Sequence, residues 1–166
     1  TIVIISIFAY VNIQSQTKVL LEEVENHINQ LNETVKNSTR FGMLLNQREH
    51  VHQIINSIGK QPGIQAVRVF NKEGIIIYSS EEEQINEKVD ISGEACYSCH
   101  VSNRPLERLH TNERSRIFMG SEGRVLGNIN PIYNEPSCYE SDCHAHSPNQ
   151  TVLGVLDITV YLNSID

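Results

Sequence analysis

Two closely spaced cysteines followed at once by a histidine, in the sequence Cys96-Tyr97-Ser98-Cys99-His100, constrain this chain more than any other feature. Thiols separated by two residues can reach the two vinyl groups on one edge of a haem, and the adjacent histidine then lies beneath the iron as its proximal ligand. The spacing therefore predicts covalent attachment of haem c at Cys96 and Cys99, with His100 bound to the iron. A zinc knuckle, a redox-active cysteine pair and a disulfide are the alternative interpretations.

A second cluster contains the other two of the chain's four cysteines: Cys138 and Cys143 are separated by four residues, and His144 follows directly. This C-x4-C-H pattern is an expanded form of the same attachment signal, because it keeps the Cys-His pair that ligates iron and adds two residues before it. It predicts a second covalent haem with His144 as the proximal ligand. A zinc site shared by all four cysteines and a local disulfide between Cys138 and Cys143 are the alternatives.

The sixth position of each iron is a separate question. Low-spin haem iron commonly takes a histidine or methionine there, whereas a gas sensor needs an open position. His52, on a predicted helix, and His146, two residues past His144, are the preferred candidates for distal ligands. Other side chains of suitable chemistry are His27, His50, His110, Met43 and Met119.

Size and charge narrow the class of protein. A chain of 166 residues is long enough for one domain, or one domain with a helical extension, and can hold a core without disulfide staples. Its 13 Lys and Arg against 20 Asp and Glu give a formal net charge of −7, with no basic run, so we expect no nucleic-acid partner. No phosphate-binding loop, dinucleotide motif or nucleophile with its base is present, and we expect no enzymatic activity.

The N-terminus predicts a membrane anchor followed by a long helix. Residues 2–11 are apolar or aromatic except for Ser6, but a span needs about 20 such residues. We therefore interpret residues 1–12 as the C-terminal part of a transmembrane helix, and a ten-residue core helix is the alternative. Residues 13–45 are predicted to form a long helix and its connection. Its apolar side chains recur at heptad spacing and suit either a homodimer seam or packing on the chain's own core: Leu21, Val24, Ile28, Leu31 and Val35.

Residues 46–166 predict an α+β domain. A second helix covers 46–58, where Gly59 supplies the stop. About five antiparallel strands follow, because short β-rich runs alternate with tight turns. They are predicted at 64–70, 75–78, 116–119, 124–132 and 152–162.

With these motifs in place, the chain resembles the periplasmic c-type-haem sensor region of bacterial sensor histidine kinases and methyl-accepting chemotaxis proteins. The resemblance covers nearly the whole length and includes the turn Asn71–Gly74, the Cys96–His100 motif, and the stretch from Arg124 through Asn130-Pro131 to His146. It implies a PAS-like (Cache-like) fold, a completed first membrane helix, and a second one after Asp166 that leads to a cytoplasmic transmitter. The simpler members carry a single C-x-x-C-H, so the second haem depends on the C-x4-C-H pattern.

Two functions are compatible with these features. A sensor would detect redox state or a small haem ligand such as NO, CO or O2, and relay it through the membrane helices. A membrane-anchored dihaem cytochrome would transfer electrons without a signal. Because haem c is attached outside the cytoplasm, either function predicts a periplasmic or extracellular domain.

Overall fold

The computed structural model describes residues 1–90, 100, 108–120, 122–140 and 146–163. It begins with two helices, α1 at Ile2–Leu44 and α2 at Arg48–Gly59. Since no proline interrupts residues 2–44, α1 runs unbroken for 43 residues, about 65 Å at the usual rise. The predicted anchor and the predicted long helix are therefore one continuous element. Asn46, with a left-handed φ of 52°, lies where the chain reverses into α2.

The strands form a single five-stranded sheet, and all neighbouring pairs are antiparallel. Its order is β2-β1-β5-β4-β3, so the last strand lies in the centre and joins the two hairpins. Two 3₁₀ turns, Glu82–Gln84 and Thr111–Glu113, and the short helix α3 at Pro136–Tyr139 complete the described elements. The strand bounds are β1 Ile64–Asn71, β2 Ile76–Ser79, β3 Ser115–Gly120, β4 Gly123–Tyr133 and β5 Val152–Tyr161. The α+β prediction with about five antiparallel strands is confirmed.

Both helices pack on one face of the sheet. In α1, Ile28 is 1% exposed and Val35 is fully buried, and the other three heptad residues contact the same core. This part of the heptad stripe is therefore occupied by the chain's own sheet. The remaining core side chains from α2 and the sheet are Val51, Ile55, Val67, Val69, Leu126, Leu156, Ile158 and Leu162.

Polar contacts set the register of α1 on β4. The amide of Asn32 donates to Asn128 Oδ1 at 2.8 Å, and Asn128 Nδ2 donates in turn to Asn29 Oδ1 at 2.9 Å. The next residue of α1, Glu33, accepts from Arg114, just before β3, at 2.7 Å and from Asn130 of β4 at 2.9 Å. Polar groups lose their hydrogen bonds to water on burial and must replace them with bonds to protein. Since these bonds form only when α1 lies at one position on the sheet, they fix that position.

The N-terminal third of α1 does not take part in this packing, and its residues 1–16 are all exposed. The helix is long and apolar enough to cross a membrane. Its best 18-residue window has a mean hydropathy of 1.2 and is 0% buried. Length and composition alone make this weak support for a membrane span.

Candidate functional site

Two cavities lie on opposite faces of the sheet. The helix-side cavity, about 300 Å³, is lined by the C-terminal part of α1 and by the ends of β1, β4 and β5 near Asn71, Tyr133 and Leu153. The outer cavity, about 610 Å³, lies on the face away from the helices. Side chains alternate along a strand, so Arg68 points to this outer face while its neighbours Val67 and Val69 contact the helices.

The helix-side cavity is where the second cysteine cluster meets the fold. The short helix α3 places Cys138 on the cavity wall, and His146, at the far end of the cluster, lines the same cavity. Both residues are half-buried. Cys143 and His144 lie outside the described residues.

The walls of this cavity suit a mostly apolar group with acidic substituents. Met43, Phe70 and Leu153 supply apolar surface, while Lys36 and Arg40 supply positive charge. Arg40 also pairs with Glu135 and donates to Ser137 Oγ at 2.8 Å, which holds the turn before Cys138 against α1. A volume of about 300 Å³ lies at the lower end of the range for ligand cavities, so a haem attached here would keep one edge in solvent. The residues present therefore fit the predicted cofactor.

The first cysteine cluster is described at one residue. His100 is exposed, and Cys96 and Cys99 lie outside the described part of the chain. The last described residue before the cluster is Asp90, which lines the outer cavity. The predicted attachment of the first haem stays a prediction.

The two preferred distal ligands are in different places. His146 shares the helix-side cavity with Cys138, as the prediction of a nearby haem requires. His52 lies on α2 and lines neither cavity; its Nε2 is 3.6 Å from Glu82 Oε1. Of the remaining candidates, Met43 of α1 lines the helix-side cavity. Iron ligation by any of them stays a prediction.

Among the residues that the structure describes, no group of three or more His, Cys, Asp or Glu side chains is arranged to hold a metal ion. Three of the four cysteines and His144 fall outside that part of the chain. The haem sites and the alternative zinc site of four cysteines therefore both stay predictions.

Two arginines that line the outer cavity, Arg68 and Arg116, belong to an ionic cluster that sequence analysis missed. Asp157 is fully buried and accepts from Arg68 Nη2 at 2.6 Å and from Arg116 Nη2 at 3.0 Å. Each guanidinium also lies near an aromatic ring two residues along its strand, with 5.6 Å from Arg68 Cζ to the Phe70 centroid and 5.7 Å from Arg116 Cζ to that of Phe118. A charged residue within the apolar run of β5 was the available signal, because a central strand rarely buries a carboxylate without partners.

Aromatic and acidic groups complete this cavity. Tyr161 lines it, and a hydrogen bond to Glu122 raises the pKa of the Tyr161 phenol. Glu122, Glu81 and Asp90 are exposed acidic side chains in the lining.

Comparison with solved structures identifies the class of the fold. No protein-family model matches the chain, and no curated protein matches it either. The crystal structure of the E. coli DcuS sensor domain is similar with a TM-score of 0.50 at 14% identity, over 85% of this chain and 93% of that one. The V. cholerae histidine kinase DctB sensor domain has a TM-score of 0.53 at 13% identity, over 91% of this chain and 53% of that one. At these identities the likeness concerns the fold, and the predicted PAS-like (Cache-like) class is confirmed.

Proposed function

We propose that this chain is the extracytoplasmic sensor domain of a membrane signal-transduction protein and that it senses through haem c. The observation that carries the proposal is that Cys138 and His146 line one cavity whose opposite wall is α1. The same helix is apolar and exposed at its N-terminal end, as a membrane anchor requires. Two proteins of similar fold are sensor domains, which adds support from fold analogy.

Two attachment sites are proposed. Cys96, Cys99 and His100 hold the first haem, and Cys138, Cys143 and His144 hold the second. Bound haem c supplies a redox-active iron with an axial position that a small ligand such as NO, CO or O2 can occupy. A protein side chain bound to the iron at that axial position would favour redox sensing, whereas an open position would favour sensing of a small ligand.

The chain's own residues have three tasks at the second site. Met43, Phe70 and Leu153 exclude water from one side of the cavity, which favours the less charged state of a bound group. Lys36 and Arg40 offer positive charge to acidic substituents. Since both basic residues belong to α1, a change of charge or ligation in the cavity would act directly on the helix that leads to the membrane.

The membrane arrangement follows from the same features. Haem c is attached outside the cytoplasm, so the domain is proposed to lie in the periplasm or on the cell exterior. All five predicted heptad residues contact the chain's own core, so a homodimer through the N-terminal helix would use the exposed part of α1. The alternative function is a membrane-anchored dihaem cytochrome for electron transfer, which the same cavities would serve.

The number of covalent haems tests the cofactor assignment. Produced in a host with a c-type maturation system, the full chain should show an intact mass raised by two haem units. Changing Cys138 and Cys143 together to Ala should remove one unit, and the matched change of Cys96 and Cys99 should remove the other. A wild-type mass with one haem and a Cys138–Cys143 disulfide would reject the second site. An intact mass without any covalent haem, in protein produced with the maturation system, would reject both sites.

A further inference from the structure

The outer cavity contains an excess of buried positive charge. Arg116 is 10% exposed and Arg68 22% exposed at their side chains, and both contact the carboxylate of Asp157, which is 0% exposed. Among the described residues, these two guanidinium groups share one buried carboxylate, so one positive charge has no buried counterion there. Burial of an uncompensated charge is costly, so the arrangement calls for an anion.

Arg116 also has unused hydrogen-bond donors. Asp157 Oδ2 accepts from Nε and Nη2 of Arg68, and its Oδ1 accepts from Nη2 of Arg116. The Nε and Nη1 groups of Arg116 are buried and have no hydrogen-bond partner among the described residues. Leaving such donors unsatisfied costs free energy, whereas a carboxylate oxygen satisfies them well.

From these two observations we propose that Arg116, supported by Arg68, binds a carboxylate in the outer cavity. Asp157 and the ring of Phe118 hold the Arg116 guanidinium in place, so little conformational entropy is lost on binding. The acidic side chains Glu81, Asp90 and Glu122 also line the cavity, but each is exposed. Charges in contact with water are screened and oppose an anion at Arg116 only weakly.

The carboxylate has two sources, and the first rests on the proposed function. Asp90 lines this cavity and lies six positions before Cys96, a reach of at most about 21 Å of extended chain. A haem attached at Cys96 and Cys99 can therefore bring a propionate side chain to Arg116. The second source is a free carboxylate from solution. Both present the same group to the same donors.

Two measurements on the full chain distinguish the sources. The midpoint potentials of the haem-loaded protein are measured for wild type and Arg116→Gln. Thermal unfolding is followed with sodium propionate, against sodium chloride at equal ionic strength, for the haem-loaded wild type and for a Cys96→Ala, Cys99→Ala double variant. Arg114→Gln is the matched control, because the Arg114 side chain is similarly buried, with 12% of it exposed, but pairs with Glu33 on the helix side.

If a haem propionate occupies the site, Arg116→Gln lowers one midpoint potential, since a nearby positive charge favours reduced iron. Propionate then raises the unfolding temperature of the double variant and not of the wild type. If a free carboxylate occupies it, propionate stabilises both proteins, and Arg116→Gln abolishes the effect in both. Arg114→Gln should alter neither the potentials nor the response to propionate.

The proposal is overturned if propionate stabilises neither protein beyond chloride and Arg116→Gln leaves both potentials unchanged. Arg116→Lys keeps a charge opposite Asp157 but lacks the guanidinium donors, so it should fold and should respond to propionate several-fold more weakly. If Arg116→Gln does not fold, the response of Arg116→Lys to propionate tests the proposal in its place. If mass spectrometry finds no haem on Cys96 and Cys99, the proposed function fails at that motif, and the propionate response alone then decides the carboxylate site.

Discussion

Glu33 is the residue at which the helix and the sheet are joined by charge. Burial raises the pKa of its carboxyl, but hydrogen bonds from Lys36, Arg114 and Asn130 outweigh burial and lower it to about 2. A carboxyl whose pKa is depressed by folding stabilises the folded state above its ordinary pKa. That stabilisation is lost as the pH falls through the folded value.

The stability of the chain should therefore fall between about pH 4.5 and pH 2, in part through Glu33. Because the Glu33 side chain is 43% exposed, solvent screening reduces the contribution of its pKa shift to the free energy of unfolding to about 1 kcal/mol. Urea unfolding at pH 7, pH 3 and pH 2 should show Glu33→Gln less stable than wild type at pH 7, with a smaller difference at pH 3 and the smallest at pH 2, near the folded pKa. An unchanged difference between the two proteins across this range would contradict the assignment.

At the scale of elements, α1 has two parts with different surroundings. Ile28 is buried between α1 and the sheet, whereas Ile7 is 58% exposed. Since the same residue type occurs in both parts of one helix, the contribution of each part to folding can be compared directly.

Ile28→Ala should destabilise the domain by about 3 kcal/mol, because it removes buried apolar surface and leaves a cavity. Ile7→Ala is the matched control and should change the free energy of unfolding in detergent-free solution by less than about 0.5 kcal/mol. Chemical denaturation of both variants measures the difference. Equal effects would show that the N-terminal part of α1 packs against protein as closely as the rest.

At the scale of the whole molecule, α1 connects the helix-side cavity with the exposed apolar segment at the N-terminus. The helix contacts the helix-side cavity at its C-terminal end and extends beyond the sheet at its N-terminal end. A packed helix of this kind moves as a unit, and bound states shift it only by the difference in their affinity for its positions.

In a membrane-embedded dimer, the distance between spin labels on the exposed residue Glu23 should therefore differ between oxidised and reduced protein. Pulsed electron paramagnetic resonance measures this distance. Labels at the buried Ile28 would disturb the core and are unsuitable. The Cys138→Ala, Cys143→Ala variant is the control and should lose the difference. Identical distance distributions in every haem state, or a monomer in the membrane, would favour the electron-transfer function.

The sequence alone determined the features that depend on neighbouring residues. Alternating apolar residues and turn signals located all five strands to within one residue. The cysteine spacings predict haem attachment from local sequence, and that attachment stays a prediction. The heptad stripe identified the buried side of α1, although it left open what covers that side. Dimerisation and packing on the sheet require the same apolar spacing, so the pattern could not separate them.

Only the tertiary structure decided which distant residues meet. The placement of β5 in the centre of the sheet brings Asp157 to Arg68 and Arg116, which lie 89 and 41 positions away in the chain. The same topology puts Cys138 and His146 against α1, about a hundred residues upstream. These contacts follow from the order of strands in the sheet. Strand order is set by the summed packing of all elements, and no local pattern in the sequence encodes it.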